Sequence, residues 1–205
     1  MQLQESFNDL YLHEYRSRDG EVCKISFLIS TYNRAPFVEA CVKRLLSIQT
    51  SYSIEVIVRD NASEDNTKSV IEGINDPRLR YVRASRNQGT ISFLEVGRLA
   101  RGEIITWLSD EDDFEYQHLD YIISMFKNDP DCSVIIGSVT VGPNSAQVIF
   151  PERIIDDAAD ALVSTLQFSG CGGVFIRGEL FKRNCDSHLA DLDEAYKTWN
   201  YYPIG

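Results

Sequence analysis

The sequence predicts an α/β fold with a single mixed, mostly parallel sheet and helices on both of its faces. Short apolar runs of strand length alternate with segments whose apolar residues recur at helical spacing. Strands separated by such helices need crossover connections, which place helices on both faces of a parallel sheet. With 205 residues, of which 43% are hydrophobic, the chain is expected to form one domain over residues 1–205.

The first half of the chain contains four predicted strands. They are expected over Ile25–Ser30, Ile54–Val58, Leu79–Val82 and Ile104–Leu108. Pro36 opens the first helix, because proline is tolerated in a first helical turn. The apolar face of this helix is expected to comprise Phe37, Cys41, Leu45 and Ile48.

Two further helices separate the later strands of this half. The second helix is expected to begin with Asp65 or Ser63 as its N-cap and to carry the apolar residues Val70, Ile71 and Ile74. The third is expected over about Ile91–Arg101. Gly102 is predicted to end it in the left-handed conformation that glycine adopts at low cost.

The second half changes character, because short strands and a turn signal interrupt the alternation. Helices are expected over Tyr116–Lys127, Asp156–Gln167, Gly178–Asn184 and Ser187–Tyr202. Strands are expected over Val134–Ile136, Val139–Val141, Gln147–Phe150 and Gly173–Arg177. The turn at Gly142–Ser145 predicts that the strand after it returns antiparallel to the strand before it.

Each of the four early strands ends in a polar segment. These segments are Thr31–Arg34, Asp60–Ser63, the pair Asn87 and Gly89, and Asp110–Asp113. In open α/β sheets, ligands bind at the carboxyl ends of the strands. The four segments are therefore expected to form one binding site at that edge of the sheet.

The acidic segment is the most informative of the four. Residues two apart in an extended segment project to the same side, so Asp110 and Asp112 are expected to converge while Glu111 faces away. Their oxygen atoms suit Mg²⁺ or Mn²⁺, and a bound cation neutralises carboxylates that would otherwise repel one another. The alternative is a solvated acidic turn that caps the helix starting near Tyr116.

The net charge of −11 argues against a nucleic-acid partner, because phosphate contact needs clustered Lys and Arg. An acidic protein that binds a phosphate-bearing ligand needs a bound cation to attract it. Isolated arginines such as Arg34, Arg86 and Arg101 could assist.

The cysteines and the apolar segments indicate the cellular compartment of the protein. The five cysteines are scattered and lack C-x-x-C spacing, so Cys23, Cys41 and Cys132 are expected to be small core residues in a reducing environment. The N-terminus lacks the pattern of a signal peptide, and no apolar run approaches the roughly 20 residues that span a bilayer. A cytoplasmic protein is expected, with peripheral contact at the inner face of a membrane left open.

Five segments together resemble family 2 glycosyltransferases of the GT-A fold, of the bacterial surface-polysaccharide type. The segments are Ile29–Arg34, Val58–Asp65, Asn87–Gly89, Leu108–Asp113 and Gly172–Arg177. Their order and spacing match that family over roughly residues 22–185. The resemblance implies a nucleotide-binding half over about residues 22–115 and an acceptor-side half over about residues 116–205.

The resemblance also implies an activity and the residues that carry it. The expected enzyme moves a sugar, with inversion, from a nucleoside diphosphate, expected to be UDP, to a hydroxyl of a saccharide or lipid-linked saccharide. Asp60 would accept a hydrogen bond from the base, and Asp110 and Asp112 would form an Asp-x-Asp motif for ribose and for Mn²⁺ or Mg²⁺. The implied nucleotide-binding residues are Thr31, Tyr32, Arg34, Asp60, Asn61, Asn87 and Asp110.

The catalytic base is expected in the late acidic segment, because inverting relatives place a carboxylate after the segment that resembles Gly172–Arg177. Asp191 and Asp193 are the preferred candidates, with Glu194 beside them. Alternatively, Asp193 simply pairs with a lysine four residues later on a helix. Many relatives continue beyond the point where this chain stops, so a truncated chain and a minimal enzyme both stay open.

Two other classes of nucleotide-binding enzyme disagree with the sequence, and one non-catalytic class agrees with it. A nucleotidylyltransferase would carry a glycine-rich basic loop after the first strand, and Thr31–Arg34 contains no glycine. A Rossmann dehydrogenase is excluded for lack of G-x-G-x-x-G at the same place. A catalytically silent sugar-nucleotide binding module stays open, and would show metal-dependent nucleotide binding without transfer.

Overall fold

A computed structural model of the chain describes residues 24–89, 91–112, 118–137, 139–141, 146–148 and 173–182. Eight strands lie in the described residues: β1 (Ile25–Thr31), β2 (Ile54–Asp60), β3 (Leu79–Arg83), β4 (Ile104–Leu108), β5 (Val134–Ile136), β6 (Val139–Val141), β7 (Ala146–Val148) and β8 (Val174–Arg177). The helices of the same residues are α1 (Ala35–Leu46), α2 (Thr67–Glu72), α3 (Ile91–Arg98) and α4 (Leu119–Asn128). Residues 178–182 add a short helical segment directly after β8.

Six strands form one mixed sheet in the order β3-β2-β1-β4-β8-β5. The strands β1 to β4 are parallel, and β8 runs antiparallel to both β4 and β5. Ile25 aligns with Ile54 of β2 and with Ile104 of β4, so these strands reach the same edge together. The predicted mixed, mostly parallel sheet is confirmed.

The predicted antiparallel hairpin forms a sheet of its own. β6 pairs with β7 in antiparallel register, as the turn signal at residues 142–145 predicted. The two strands form a separate two-stranded sheet instead of extending the main one. The expectation of a single sheet is therefore wrong in this respect.

Apolar residues pack on both faces of the main sheet, as predicted. Phe27 and Ile29 belong to a core that also contains the buried faces of α1 and α4, together with Ile71 of α2. Leu28, between them in β1, belongs to a second core with Val96 of α3. This alternation follows from the period of two in a strand.

Helix α1 differs from its prediction in the face that it buries. Its buried residues are Ala35, Val38, Cys41, Val42 and Leu45. Phe37, which was expected on this face, is 51% exposed, so that part of the prediction is wrong. The buried residues are centred on Val38 and Leu45, which leaves Phe37 at the margin of the apolar face. Ile48 is buried as predicted, but it lies beyond the end of the helix.

Gly102 has a different role from the predicted one. Helix α3 ends at Arg98 instead of Arg101, and Gly102 does not have a positive φ. A Cβ atom at Gly102 would lie 2.6 Å from the backbone nitrogen of Ser26 and 2.7 Å from the carbonyl oxygen of Ile104. Glycine is therefore needed here because two strands approach it closely, and the prediction of a left-handed helix end is wrong.

The remaining expectations about helices and cysteines have mixed outcomes. Cys41 is buried in the core and Cys132 packs partly buried against it, as expected, while Cys23 lies outside the described residues. The helices predicted over residues 156–167 and 187–202 also lie outside them. Within the part of the chain that the structure describes, no helix combines the length and the apolar character needed to cross a membrane.

Candidate functional site

The first contact of the candidate site joins the ends of β1 and β4. The Thr31 hydroxyl donates a hydrogen bond to Oδ2 of Asp110 at 2.8 Å, and both side chains are buried. The backbone carbonyl of Thr31 accepts the N–H of Asn61, which follows β2. Since the three strands end at one edge, Thr31 ties the loops after β2 and β4 to β1. The predicted meeting of these polar segments at the carboxyl edge is found in the structure.

Arg34 links two carboxylates of the acidic segment. Its Nε donates to Oδ1 of Asp110 at 2.8 Å, and its Nη2 donates to Oε2 of Glu111 at 2.6 Å. The hydrogen bond to Glu111 is the main cause that raises the pKa of the Arg34 guanidinium, and the attraction of Asp110 adds to it. The guanidinium also lies 4.6 Å from the ring centre of Phe37. One cation thus neutralises part of an otherwise repulsive acidic cluster.

The acidic segment is a turn and not an extended strand. The backbone N–H of Asp112 donates to the Ser109 carbonyl at 3.1 Å. Oδ2 of Asp112 in turn accepts the Ser109 N–H at 2.8 Å. The prediction of an extended segment in which Glu111 faces away is therefore wrong, because Glu111 and Asp110 share the guanidinium of Arg34. The carboxylate of Asp112 is used locally, as is common for aspartate in turns.

The carboxylates of this turn have donor atoms for part of a divalent-metal site. Among the described residues, no three His, Cys, Asp or Glu side chains are grouped as a ready metal site. The oxygen atoms of Asp110 and Glu111 are nevertheless the donors that Mg²⁺ and Mn²⁺ prefer. The guanidinium between them is a cationic stand-in, which shows that this position accommodates a positive charge. Asp110 and Glu111 thus offer oxygen donors of the type that a hard cation binds, at a position that Arg34 occupies in this structure.

Asp60 is completely buried at the end of β2. Its Oδ1 accepts the backbone N–H of Ser63 at 2.7 Å, and its Oδ2 accepts the hydroxyl of Tyr81 and, at 3.4 Å, Nη1 of Arg83. Burial, followed by the hydrogen bond to Asp60, raises the pKa of Tyr81 well above its usual range. Because Asp60 is 0% exposed, a base reaches this carboxylate only if one of the groups that contact it moves, namely Tyr81, Arg83 or the loop over residues 61–63.

Two asparagines join the loops after β2 and β3. Nδ2 of Asn61 donates to Oδ1 of Asn87 at 2.7 Å, and Oδ1 of Asn61 accepts the N–H of Gln88 at 2.8 Å. The Asn87 oxygen also accepts the N–H of Gly89, whose φ of 55° is in the left-handed region that favours glycine. The predicted pair Asn61 and Asn87 is therefore brought together, and its amide groups hold the two loops in place.

The loop after β1 is fixed to the loop after β2. Asn33, with φ of 55°, donates its N–H to Oγ of Ser63 at 2.9 Å, and its side-chain oxygen accepts the N–H of Glu64. The alternative that Ser63 caps α2 is wrong, because the N-cap of this helix is Asn66. Tyr32 is 41% exposed beside these contacts. Its ring is thus presented at the edge on a backbone that is held on both sides.

Asp65 positions two helices at once. Its Oδ1 accepts the N–H of Thr67 and its Oδ2 accepts the N–H of Ala35, each at 3.0 Å. These are the first residues of α2 and α1, so one carboxylate faces the amino ends of two helices. Burial opposes the shift, but the hydrogen bonds from Thr67 and Ala35 outweigh it and lower the pKa of Asp65. The N-cap of α2 is Asn66, so the prediction of Asp65 in that position is wrong, although the Asp65 side chain accepts the N–H of the first helical residue.

Several sequence expectations lie elsewhere in the molecule or outside the described residues. Arg101 precedes β4 and lies at the amino edge of the sheet, so its expected assistance at the site is wrong. Asp191 and Asp193 lie outside the described residues, as does Asp113. Tyr81 and Arg83 were missed, because their approach to Asp60 depends on a register that aligns Arg83 with Asp60 across β2 and β3.

Comparison with known sequences gives a consistent family. The family model described as "Glycosyl transferase family 2" matches residues 26–177. "Uncharacterized glycosyltransferase MG060" of Mycoplasma genitalium is 35% identical over 98 residues, which are 44% of this chain and 33% of the relative. "GalNAc(5)-diNAcBac-PP-undecaprenol beta-1,3-glucosyltransferase" of Campylobacter jejuni is 33% identical over 94 residues, 44% of this chain and 30% of the relative. The chain spans about a third of the length of these relatives.

Comparison with solved structures agrees on the fold. TarS residues 1–349 of S. aureus, in complex with UDP, matches with a TM-score of 0.62 and 18% identity, covering 78% of this chain and 48% of that one. The mannosyltransferase PcManGT from Pyrobaculum calidifontis, in complex with GDP-Man and Mn²⁺, matches with a TM-score of 0.55 and 20% identity, covering 78% and 46%. At these identities the likeness shows the fold, which is of the GT-A type.

Proposed function

We propose that this chain, which belongs to glycosyltransferase family 2, takes part in moving a sugar from a nucleoside diphosphate to a hydroxyl of a saccharide or lipid-linked saccharide. The observation that carries the proposal is the joining of Thr31, Arg34 and Asp110 at the carboxyl edge of the sheet. Ligands of open α/β folds bind at this edge. The charged groups needed for a diphosphate and its cation therefore lie where the fold would receive them.

The nucleotide is proposed to lie across the loops after β1, β2 and β3. These loops are joined by the contacts of Asn33 with Ser63 and of Asn61 with Asn87, so they form one preorganised surface. The exposed ring of Tyr32 is suited to stack on a base. Asp60 would accept a base N–H once Tyr81 releases it, which favours uracil as the base and UDP as the carrier.

The metal is proposed to be held by the acidic turn, with Asp110 and Asp112 as the expected ligands and Glu111, which shares Arg34 with Asp110, as a further oxygen donor. A bound Mn²⁺ or Mg²⁺ would neutralise charge that develops on the departing diphosphate. The protein would position the metal, because Thr31 fixes one oxygen of its ligand Asp110. Asp110 is 4% exposed, so its carboxylate is largely shielded from solvent.

The acceptor and the base are proposed from the family. Inversion in a single displacement needs a carboxylate that removes the proton of the acceptor hydroxyl, and we assign this role to Asp191 or Asp193. The name of the C. jejuni relative contains an undecaprenol-linked saccharide, which supports a lipid-linked acceptor. Such an acceptor would bring the protein to the inner face of a membrane.

The proposal is tested by the thermal stability of the protein with nucleotides. A ligand that binds only the folded state raises the melting temperature by mass action. We expect UDP and UDP-sugars to raise it in the presence of Mn²⁺, and GDP-mannose to do so less. Stabilisation by none of these nucleotides would contradict the proposal.

Two variants test whether the Mn²⁺-dependent stabilisation by UDP depends on the acidic turn. Asp112→Asn keeps an oxygen acceptor for the Ser109 N–H, so the turn should persist while one negative charge is lost. We expect its Mn²⁺-dependent stabilisation by UDP to weaken with little change in the melting temperature of the free protein. Asp131→Asn removes an equal charge ahead of β5 and serves as the control, which should behave as the wild type. A much lower melting temperature of free Asp112→Asn would make the cluster structural instead.

A further inference from the structure

We propose that Arg34 is a tethered cation that competes with the divalent metal for Asp110 and Glu111 and is released when the donor binds. This inference rests on the proposed function, since it assumes a metal at the acidic turn. The sequence placed Arg34 in the nucleotide pocket and among the arginines that could assist phosphate binding, but gave it no contact with the acidic turn. The competition makes metal binding dependent on the nucleotide.

The geometry shows that one guanidinium fills the gap between two carboxylates. Nε of Arg34 holds Asp110 at 2.8 Å while Nη2 holds Glu111 at 2.6 Å. The other oxygen of Asp110 is occupied by the hydroxyl of Thr31. A divalent cation that approaches the pair meets a positive charge already in contact with both residues. The metal and the guanidinium are therefore in competition for the same oxygen atoms.

Hydrogen bonds fix the backbone of Arg34, and its guanidinium has a second contact, with the ring of Phe37. The Arg34 carbonyl accepts the N–H groups of Phe37 and Val38 at the start of α1, which holds the residue in place. Its side chain is 37% exposed, and its guanidinium lies over the ring of Phe37, which is half exposed. A cation over an aromatic face is attracted to it. The guanidinium can therefore leave the carboxylates without losing every favourable contact.

Once it leaves the carboxylates, the guanidinium of Arg34 can bind phosphate. Its planar set of donors matches phosphate oxygens, to which arginine binds with two parallel hydrogen bonds. A diphosphate at the carboxyl edge would attract both the metal and the freed arginine. Binding of nucleotide and binding of metal then strengthen each other, because each favours the arrangement in which Arg34 has left Asp110.

The test compares Mn²⁺ binding by the wild type, Arg34→Gln and Arg101→Gln, measured by electron paramagnetic resonance of free Mn²⁺ with and without UDP. Arg101→Gln removes the same charge at the opposite edge of the sheet and is the matched control. We expect Arg34→Gln to bind Mn²⁺ alone about tenfold more tightly than the wild type, within the usual range of coupling between sites. UDP should improve Mn²⁺ binding in the wild type and the control, and much less in Arg34→Gln.

The outcomes separate this inference from the proposed function. Equal affinities of the wild type and Arg34→Gln for Mn²⁺ alone, with binding still improved by UDP in both, would overturn the role of Arg34 and leave the proposed function standing. Absence of Mn²⁺ binding in every protein, with or without UDP, would overturn both. Arg34→Lys keeps the charge but cannot span both carboxylates, and it should bind Mn²⁺ with an intermediate affinity. It serves as the decisive variant if Arg34→Gln does not fold.

Discussion

Thr31 and Asp110 are joined by a buried hydrogen bond of 2.8 Å between the ends of β1 and β4. The two residues are 79 positions apart in the sequence, and they meet because β1 and β4 are neighbours in the sheet. The bond fixes one carboxylate oxygen and leaves the other to Arg34. The parallel arrangement of the strands thus creates an oriented acidic group at the edge where donor binding is proposed.

Thr31→Val tests the contribution of this bond. The substitution keeps the shape of the side chain and removes the donor to Asp110, and hydrogen bonds to charged groups contribute about 1.5–3 kcal/mol. We expect the free energy of unfolding, measured with urea, to fall by about that amount. Thr50→Val removes a hydroxyl that contacts Asp120 at the surface, and it should change stability by less than about 0.5 kcal/mol. Equal effects of the two substitutions would show that the buried hydrogen bond stabilises the fold no more than the surface one.

Tyr81→Phe separates the structural role of Asp60 from its proposed role in base binding. The variant loses the hydroxyl that donates to Asp60 and should be destabilised by about 1.5–3 kcal/mol. Since it frees an acceptor on Asp60, its affinity for UDP should stay equal or rise. Asp60→Ala should bind UDP more weakly, by on the order of 1–3 kcal/mol. Tyr121→Phe, at an exposed tyrosine, is the control for stability. Unchanged UDP binding by folded Asp60→Ala would reject the base assignment.

Asp65 should make the stability of the protein sensitive to acid. Because its pKa is lowered in the folded state, its contribution is present above the unfolded value of about 3.9 and is lost as the pH falls through the folded value. The wild type should therefore be more stable than Asp65→Asn at about pH 7, and this difference should shrink below about pH 4. Urea unfolding of both proteins at several pH values between about 3 and 7 measures this difference in the free energy of unfolding. A difference that does not change with pH would show that the negative charge on Asp65 is unimportant.

Substitution of Asp191 or Asp193 is expected to impair sugar transfer without weakening nucleotide binding. Replacing the proposed base with Asn should lower kcat for sugar transfer about 10²- to 10⁴-fold. Mn²⁺-dependent UDP binding should stay as in the wild type, and Asp131→Asn should retain both properties. Nuclear magnetic resonance coupling constants of the product should show inversion relative to the donor. A retained configuration would reject the single displacement, and binding without any transfer would favour the silent binding module.

The sequence predicted that the polar loops meet at one edge of the sheet, but it did not predict most of their contacts. Strand ends followed by polar residues locate the carboxyl edge, because parallel strands bring their ends together whatever the details of the loops. The partners of Asp60 were missed because they depend on the pairing of β2 with β3, which aligns Arg83 with Asp60. The contact of Asp65 with Ala35 likewise joins residues 30 positions apart, and no local pattern reveals it.

The acidic turn shows why local periodicity failed at the site itself. Alternation predicts that residues two apart share a face, but this holds only while the backbone stays extended. After β4 the chain turns, so that Asp112 folds back onto Ser109 and Glu111 joins Asp110 at Arg34. Aspartate favours such turns because its side chain can accept a backbone N–H nearby. The number of carboxylates was evident from the sequence, and their arrangement required the fold.

A crystal structure of the protein with UDP and Mn²⁺ tests the central claim most directly, because the anomalous scattering of manganese locates the metal independently of the surrounding density. We expect the manganese peak in direct contact with the carboxylate of Asp110, with the uracil ring beside Tyr32 and Asp60 and with Arg34 turned toward the diphosphate. A nucleotide or a manganese peak away from the carboxyl edge, with Arg34 still between Asp110 and Glu111, would contradict the account.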